Sequence, residues 1–323
     1  MNTRPDLLTA EFRALSEKLG RDPLQVQGPG GNTSIKDGDV MWIKASGTEL
    51  ADATSNPIFV AVDRKAALAE AREEQGDGSC KSTVLDPAIS LRPSIETTFH
   101  AALDHPVVAH THSVATLVHV IGPQGRLAAE KKLSGLPFAM VPYAKPGLPL
   151  TREILARVTP ETQIFLLQNH GLICCGASVA EVAYLIEEVE RRLSMHARDV
   201  DADEPSIARP QGWEWSSQSW IARDDRALRI AKSGSYYPDH VVFLGPALPM
   251  SETEGAPAYL VEGEGILQLA DATSSQIAML RCLSDVLLRL PAEWQPEAIG
   301  TDAEASLLNW DAEKYRQALA EQK

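Results

Sequence analysis

The stretch Arg92–Val120, reading RPSIETTFHAALDHPVVAHTHSVATLVHV, holds five of the chain's eight histidines and constrains the fold more than any other segment. His110 and His112 flank Thr111 directly after the apolar run Val107-Val108-Ala109. Alternate residues of a strand share one face, so both imidazoles project together from the end of a buried strand. Two histidines held that way are a common beginning of a transition-metal site. Upstream, Glu96 and His100 lie four residues apart in a segment with helical character, which puts them on one helix face. A His-x-His pair by itself is more often solvated or part of a polar rim than a ligand pair.

A third histidine changes that balance. His170, in Gln-Asn-His-Gly-Leu, follows the apolar run Ile164-Phe165-Leu166-Leu167 and stands at the end of a second buried strand. Its neighbour Gly171 permits an unusual backbone conformation or a close approach. Three histidine ligands that leave open positions suit a catalytic rather than a structural metal site.

With 323 residues the chain can bury a substantial core, as one large domain or two modest ones. A net charge of −14 without a basic cluster argues against a nucleic-acid partner. Cysteines stand at 80, 174, 175 and 282; the adjacent pair makes no easy bridge, and small buried hydrophobes are the expected role. With no signal peptide and no apolar span long enough for a membrane, a soluble cytoplasmic protein is expected.

Leu7 to Leu19 repeats apolar residues at helical spacing and ends at Gly20. Gly28-Pro-Gly-Gly-Asn-Thr-Ser34 reads as a glycine-rich turn into the strand Met41-Trp42-Ile43, which Lys44-Ala-Ser-Gly-Thr48 closes. Such turns can cradle an anion, although hairpins need the same residues. Ile58 to Val62 reads as a strand, Glu73 to Lys81 as an exposed loop, and Leu133 to Leu150, with four prolines, as an irregular passage around Tyr143. Ala180 to His196 is strongly helical. The acidic, proline-punctuated segment Asp199 to Pro210 is the expected boundary between a domain spanning 1–205 and an extension spanning 206–323. That extension is expected to contain strands at Val241–Leu244 and Ala258–Val261, a helix over Ser274–Leu290 and a last helix through Leu307–Leu319.

Gly31-Asn-Thr-Ser34, Lys44-Ala-Ser-Gly-Thr48, Pro93-Ser-Ile-Glu96 with His100, His110-Thr-His112 and Asn169-His-Gly171 occur in that order. This set resembles the class II aldolase/adducin family, over roughly residues 5 to 200. Tyr237-Pro-Asp-His240 and Asn309-Trp-Asp-Ala-Glu-Lys314 look like the aldolase portion of bifunctional rhamnulose-1-phosphate aldolase/dehydrogenase proteins. No Rossmann glycine fingerprint follows, so a dehydrogenase half is not expected.

The resemblance implies an α/β fold of three layers, α/β/α, with a mostly antiparallel central sheet. It implies His110, His112 and His170 as ligands of one divalent metal ion per chain, Zn2+ first, with Mn2+, Co2+ or Mg2+ as alternatives. Glu96 matches the catalytic acid/base, and Tyr143 matches a tyrosine that in some members protonates the leaving aldehyde across a subunit boundary. Asn32, Thr33, Ser46, Gly47 and Ser94 match positions that bind the substrate phosphate. Ile95 stands where many aldolases carry a second serine, which removes one hydroxyl from the anion site. The implied partners are a small sugar-phosphate substrate and further copies of the chain, as a tetramer.

Retro-aldol cleavage leaves an enediolate, whose charge a Lewis-acidic metal stabilises. Loss of carbon dioxide from a 3-keto sugar acid leaves the same species, so decarboxylation and 4-epimerisation stand beside aldol chemistry. A non-catalytic, adducin-like interaction module is the remaining class, but that class is expected to lose the histidine triad.

Overall fold

The computed structural model describes residues 3–200 and 205–321. Its main sheet comprises β1 (Asn32–Asp37), β2 (Val40–Lys44), β3 (Phe59–Asp63), β4 (Val107–Thr111), β5 (Phe138–Val141), β6 (Ile164–Leu167) and β7 (Gly171–Gly176). The strands lie in the order β3-β2-β1-β4-β7-β6-β5. Neighbours are antiparallel except β5 and β6, which run parallel. Seven helices accompany this sheet: α1 (Ala10–Arg21), α2 (Arg64–Ala71), α3 (Thr97–Ala102), α4 (Val114–Val120), α5 (Pro123–Lys132), α6 (Leu148–Leu155) and α7 (Val179–Leu193).

Strand alternation divides the core into two layers. Leu172 and Cys174 of β7 pack with Phe12 of α1, Leu117 of α4 and Val189 of α7. Ile173 and Cys175 pack on the other side, with Phe99 of α3 and Ile154 of α6. The adjacent cysteines therefore occupy opposite layers, and both are free and buried. Hydroxyl caps start three of these helices. Thr9 accepts from Phe12 N, Ser113 from Thr116 N and Ser178 from Glu181 N.

Residues 206–321 add β8 (Trp213–Trp215), β9 (Ala258–Val261) and β10 (Gly265–Leu269), ordered β8-β10-β9. They also add α8 (Asp225–Ala231), α9 (Pro238–Leu244), α10 (Ser274–Arg289), α11 (Thr301–Leu308) and α12 (Asp311–Ala320). Trp220, Val242 and Leu283 belong to the same apolar cluster as Leu117 and Val189, so this part shares a core with the first layer. No described helix is long and apolar enough to cross a membrane.

Several expectations need correction. The glycine-rich turn does not lead straight to Met41: β1 intervenes and pairs with both β2 and β4. The proline-dense passage contains the edge strand β5 and the start of α6. Val241–Leu244 is helical rather than a strand. Pro238 pre-sets the first turn of α9, and every residue of that helix is buried, so its apolar run carries no period to separate the two states. The last helix is two, broken at Asn309-Trp310. The helix α2 was not expected, and within the loop at Glu73–Lys81 Gly78 and Cys80 are buried. Part of the expected boundary, 201–204, lies outside the described residues.

Candidate active site

His110 is fully buried in β4, opposite Asn32 of β1 and Ile173 of β7. Its Nδ1 donates to Leu172 O at 2.9 Å, which leaves Nε2 as a bare lone pair. His112 follows β4 directly, with Nδ1 3.1 Å from Asp239 Oδ2. A carboxylate only accepts, so any hydrogen bond between the two puts the proton on Nδ1. The two Nε2 atoms face each other at 3.2 Å. With both protons on Nδ1 the two facing lone pairs repel, and a cation between them removes the conflict. The separation matches the roughly 3.3 Å between imidazole nitrogens on a tetrahedral ion. His170 lies in the turn from β6 to β7, and one ligand atom from each of the three histidines falls within 4.8 Å of the others. Burial pushes His110 and His170 below the ordinary histidine range, so both are neutral and fit for ligation. The left-handed residue of the turn is Asn169, not Gly171. Its amide donates to Tyr236 O and Glu297 O at 3.1 and 2.8 Å. Gly171 instead allows close approach, since a side chain there would meet Thr111 O.

Glu96 precedes α3 at its N-cap position. Its Oε2 accepts from Asn32 Nδ2 at 2.8 Å and lies 3.5 Å from His110 Nε2. Its Oε1 is buried without a hydrogen-bond partner, 3.5 Å from His170 Nε2. Glu96 occupies the N-cap of the helix that carries His100, and Asn32 stands between the two side chains. Asn32 Oδ1 meets His100 Nε2, and Ser34 Oγ lies 2.7 Å from His100 Nδ1. Lys36 Nζ donates to His100 O at 2.7 Å. With Nε2–H donating to Asn32 and Nδ1 accepting from Ser34, the Asn32 NH2 group has to point at Glu96.

Asn32, Ser46, Gly47 and Ser94 line the same cleft as Glu96, His112 and His170. Thr33 does not, because the strand turns it to the other face, where its hydroxyl lies 2.8 Å from Ser16 Oγ. Tyr143 is not among the lining residues either. Its hydroxyl is buried without a hydrogen-bond partner, and burial, aided by Glu304, pushes the phenol up to about 12.

Lys44, Asp239, Glu313 and Arg316 also line the cleft, with no role expected for them from the sequence. Lys44 Nζ joins the two glycine-containing loops through Pro29 O and Thr48 O, at 2.8 and 2.7 Å. Arg316 Nη1 bridges Asp239 Oδ1 at 2.9 Å and Glu313 Oε2 at 2.8 Å. Arg316 and His112 hold the Asp239 carboxyl well below the usual range despite its burial. Leu319 of α12 packs on Gly47, where a side chain would collide with it.

A family model described as the Class II Aldolase and Adducin N-terminal domain matches residues 11–197. The chain is 30% identical over 199 residues to an uncharacterized oxidoreductase, YuxG, of Bacillus subtilis, covering 55% of this chain and 28% of that protein. It is 33% identical over 114 residues to the 3-oxo-tetronate 4-phosphate decarboxylase of Escherichia coli K12, covering 31% and 52%. It is 24% identical over 199 residues to the L-fuculose phosphate aldolase of Methanocaldococcus jannaschii, covering 57% and 93%. The chain thus spans about half or less of the length of the first two relatives. Among solved structures, the N-terminal class II aldolase domain of a conserved Thermoplasma acidophilum protein aligns at 26% identity and TM-score 0.50. That alignment covers 60% of this chain and 94% of that domain.

Proposed function

We infer that this chain, which belongs to the class II aldolase and adducin family, is a metal-dependent carbon–carbon lyase for a small phosphorylated sugar. The observation that carries this reading is Glu96. One oxygen is anchored by Asn32 and the other is unpartnered, and both face the three converging histidines. His110, His112 and His170 would hold the ion, with zinc first among the candidates because three imidazoles suit it. Such an ion supplies Lewis-acid stabilisation of the negative charge that carbon–carbon cleavage develops on a substrate oxygen.

The rest falls to the chain's own groups. Glu96 Oε1 is free to take or return a proton, while Asn32 keeps the carboxylate from turning away. Ser46, Gly47 and Ser94, with the cationic Lys44 behind them, would receive the substrate's phosphate. Tyr143 would act at the site of a neighbouring copy in a homo-oligomer, with a tetramer favoured.

Aldol cleavage is the leading reaction. Decarboxylation of a keto sugar acid phosphate is the second reading, supported by the 33% identity to the decarboxylase. The test is metal analysis followed by product analysis on a sugar-phosphate panel. Aldehyde release with about one metal per chain supports the leading reading. Carbon dioxide or an epimer as the sole product replaces it with decarboxylation or 4-epimerisation. Metal-free protein inert on the whole panel would sink the enzyme reading.

A further inference from the structure

The motif Tyr237-Pro-Asp-His240 lies outside the family match and plays no part in the reading above, yet it reaches the histidine cluster. We propose that Asp239 is a positioning residue for the metal centre: it fixes the proton of His112 on Nδ1 and so aims the Nε2 lone pair at the ion, while Arg316 and Glu313 fix Asp239. This rests on the metal reading above and gives residues 206–323 a share in the site.

The geometry supports each link. Asp239 Oδ2 meets His112 Nδ1 at 3.1 Å, and Oδ1 accepts from Arg316 at 2.9 Å. His112, Asp239, Glu313 and Arg316 are all buried, and Asp239 Oδ2 has no hydrogen-bond partner but stands within reach of His112 Nδ1. A carboxylate behind a ligating imidazole fixes its tautomer and makes it a better donor. Gly30 makes room for the pair: a Cβ there would lie 2.9 Å from both Asp239 Oδ2 and His112 Nδ1. This explains one glycine of a turn that otherwise reads as an anion cradle or a hairpin.

A merely structural Asp239, tying α9 to α12, would affect melting and not the metal affinity of the folded protein. The test is Co2+ titration of the metal-free protein, followed by visible absorption. Asp239→Asn is expected to weaken binding by about 10- to 100-fold, and Gly30→Ala to weaken it by wedging the pair apart. In histidine-15N-labelled, metal-free wild-type protein, His112 is expected to carry its proton on Nδ1. That measurement holds even if Asp239→Asn does not fold. Wild-type cobalt affinity in folded Asp239→Asn, or an Nε2–H tautomer in the wild type, overturns the inference alone. Absence of metal binding by the wild type overturns it together with the metal reading.

Discussion

The Asn32 side-chain amide donates to Glu96 Oε2 across 2.8 Å, and the same amide is oriented from behind by His100. The candidate base is thus set by a residue of the central sheet rather than by its own helix. Asn32→Ala removes that anchor and is expected to lower turnover by about 10- to 100-fold with metal content unchanged, in line with losing the orientation of a general base. Steady-state kinetics beside elemental analysis checks this. Unchanged turnover would leave Asn32 a role in packing alone.

Glu96→Gln keeps the size of the side chain but removes the basic oxygen. Turnover is expected to fall by about 10²- to 10⁴-fold, and exchange of the substrate's enolisable proton with deuterated water should fall with it. Metal content and oligomeric state should survive. Near-normal turnover would make Glu96 a structural acceptor, and loss of metal would make it a ligand.

The Tyr143 hydroxyl is buried and has no hydrogen-bond partner among the described residues. Mixing inactive Tyr143→Phe with inactive Glu96→Gln and reassembling the oligomers is expected to restore part of the activity, because some sites then combine two intact halves. No recovery in demonstrably mixed oligomers, or an active monomer, would end the shared-site idea.

Acid stability is expected to depend on His119. Burial pushes it from 6.5 down to about 4. Its Nδ1 donates to Ala115 O at 2.8 Å, Lys132 Nζ lies 3.1 Å from Nε2, and its ring packs edge-on against Trp294. The unfolded chain binds this proton near pH 6.5 and the folded chain only near 4. Between those values the unfolded state holds more protons, so stability falls as pH falls, by roughly 3 kcal/mol for this group. His119→Phe keeps a ring against Trp294 and should flatten that part of the curve in denaturant melts from pH 7 to 4. An unchanged slope would assign the acid sensitivity elsewhere, His240 being the next candidate because burial likewise lowers it, to about 3.

The histidine triad was legible because each histidine ends or follows a run of Val, Ala, Ile, Phe or Leu, and buried runs announce their own ends. β1 was not, since Asn32, Ser34 and Lys36 turn their polar side chains inward, against the usual sense of strand alternation. Asp239 was visible within a motif, but nothing local to it points to His112, more than a hundred residues away. Arg316 hides better still. On an amphipathic terminal helix an arginine reads as solvated, and only the fold turns it toward Asp239. Charge compensated at long range leaves no local pattern.

The grip of β1 on His100 makes the site a matter of parity. Asn32, Ser34 and Lys36 occupy the positions that face α3; Thr33, Ile35 and Asp37 face away. A slip of one residue in β1 would exchange the sets, presenting threonine, isoleucine and aspartate to the imidazole. The same slip would put a carboxylate where Lys36 meets a carbonyl and leave Glu96 unheld. Counting in twos from Asn32 is therefore part of the chemistry. Such a slip would erase the candidate base's support with all three histidines still in place.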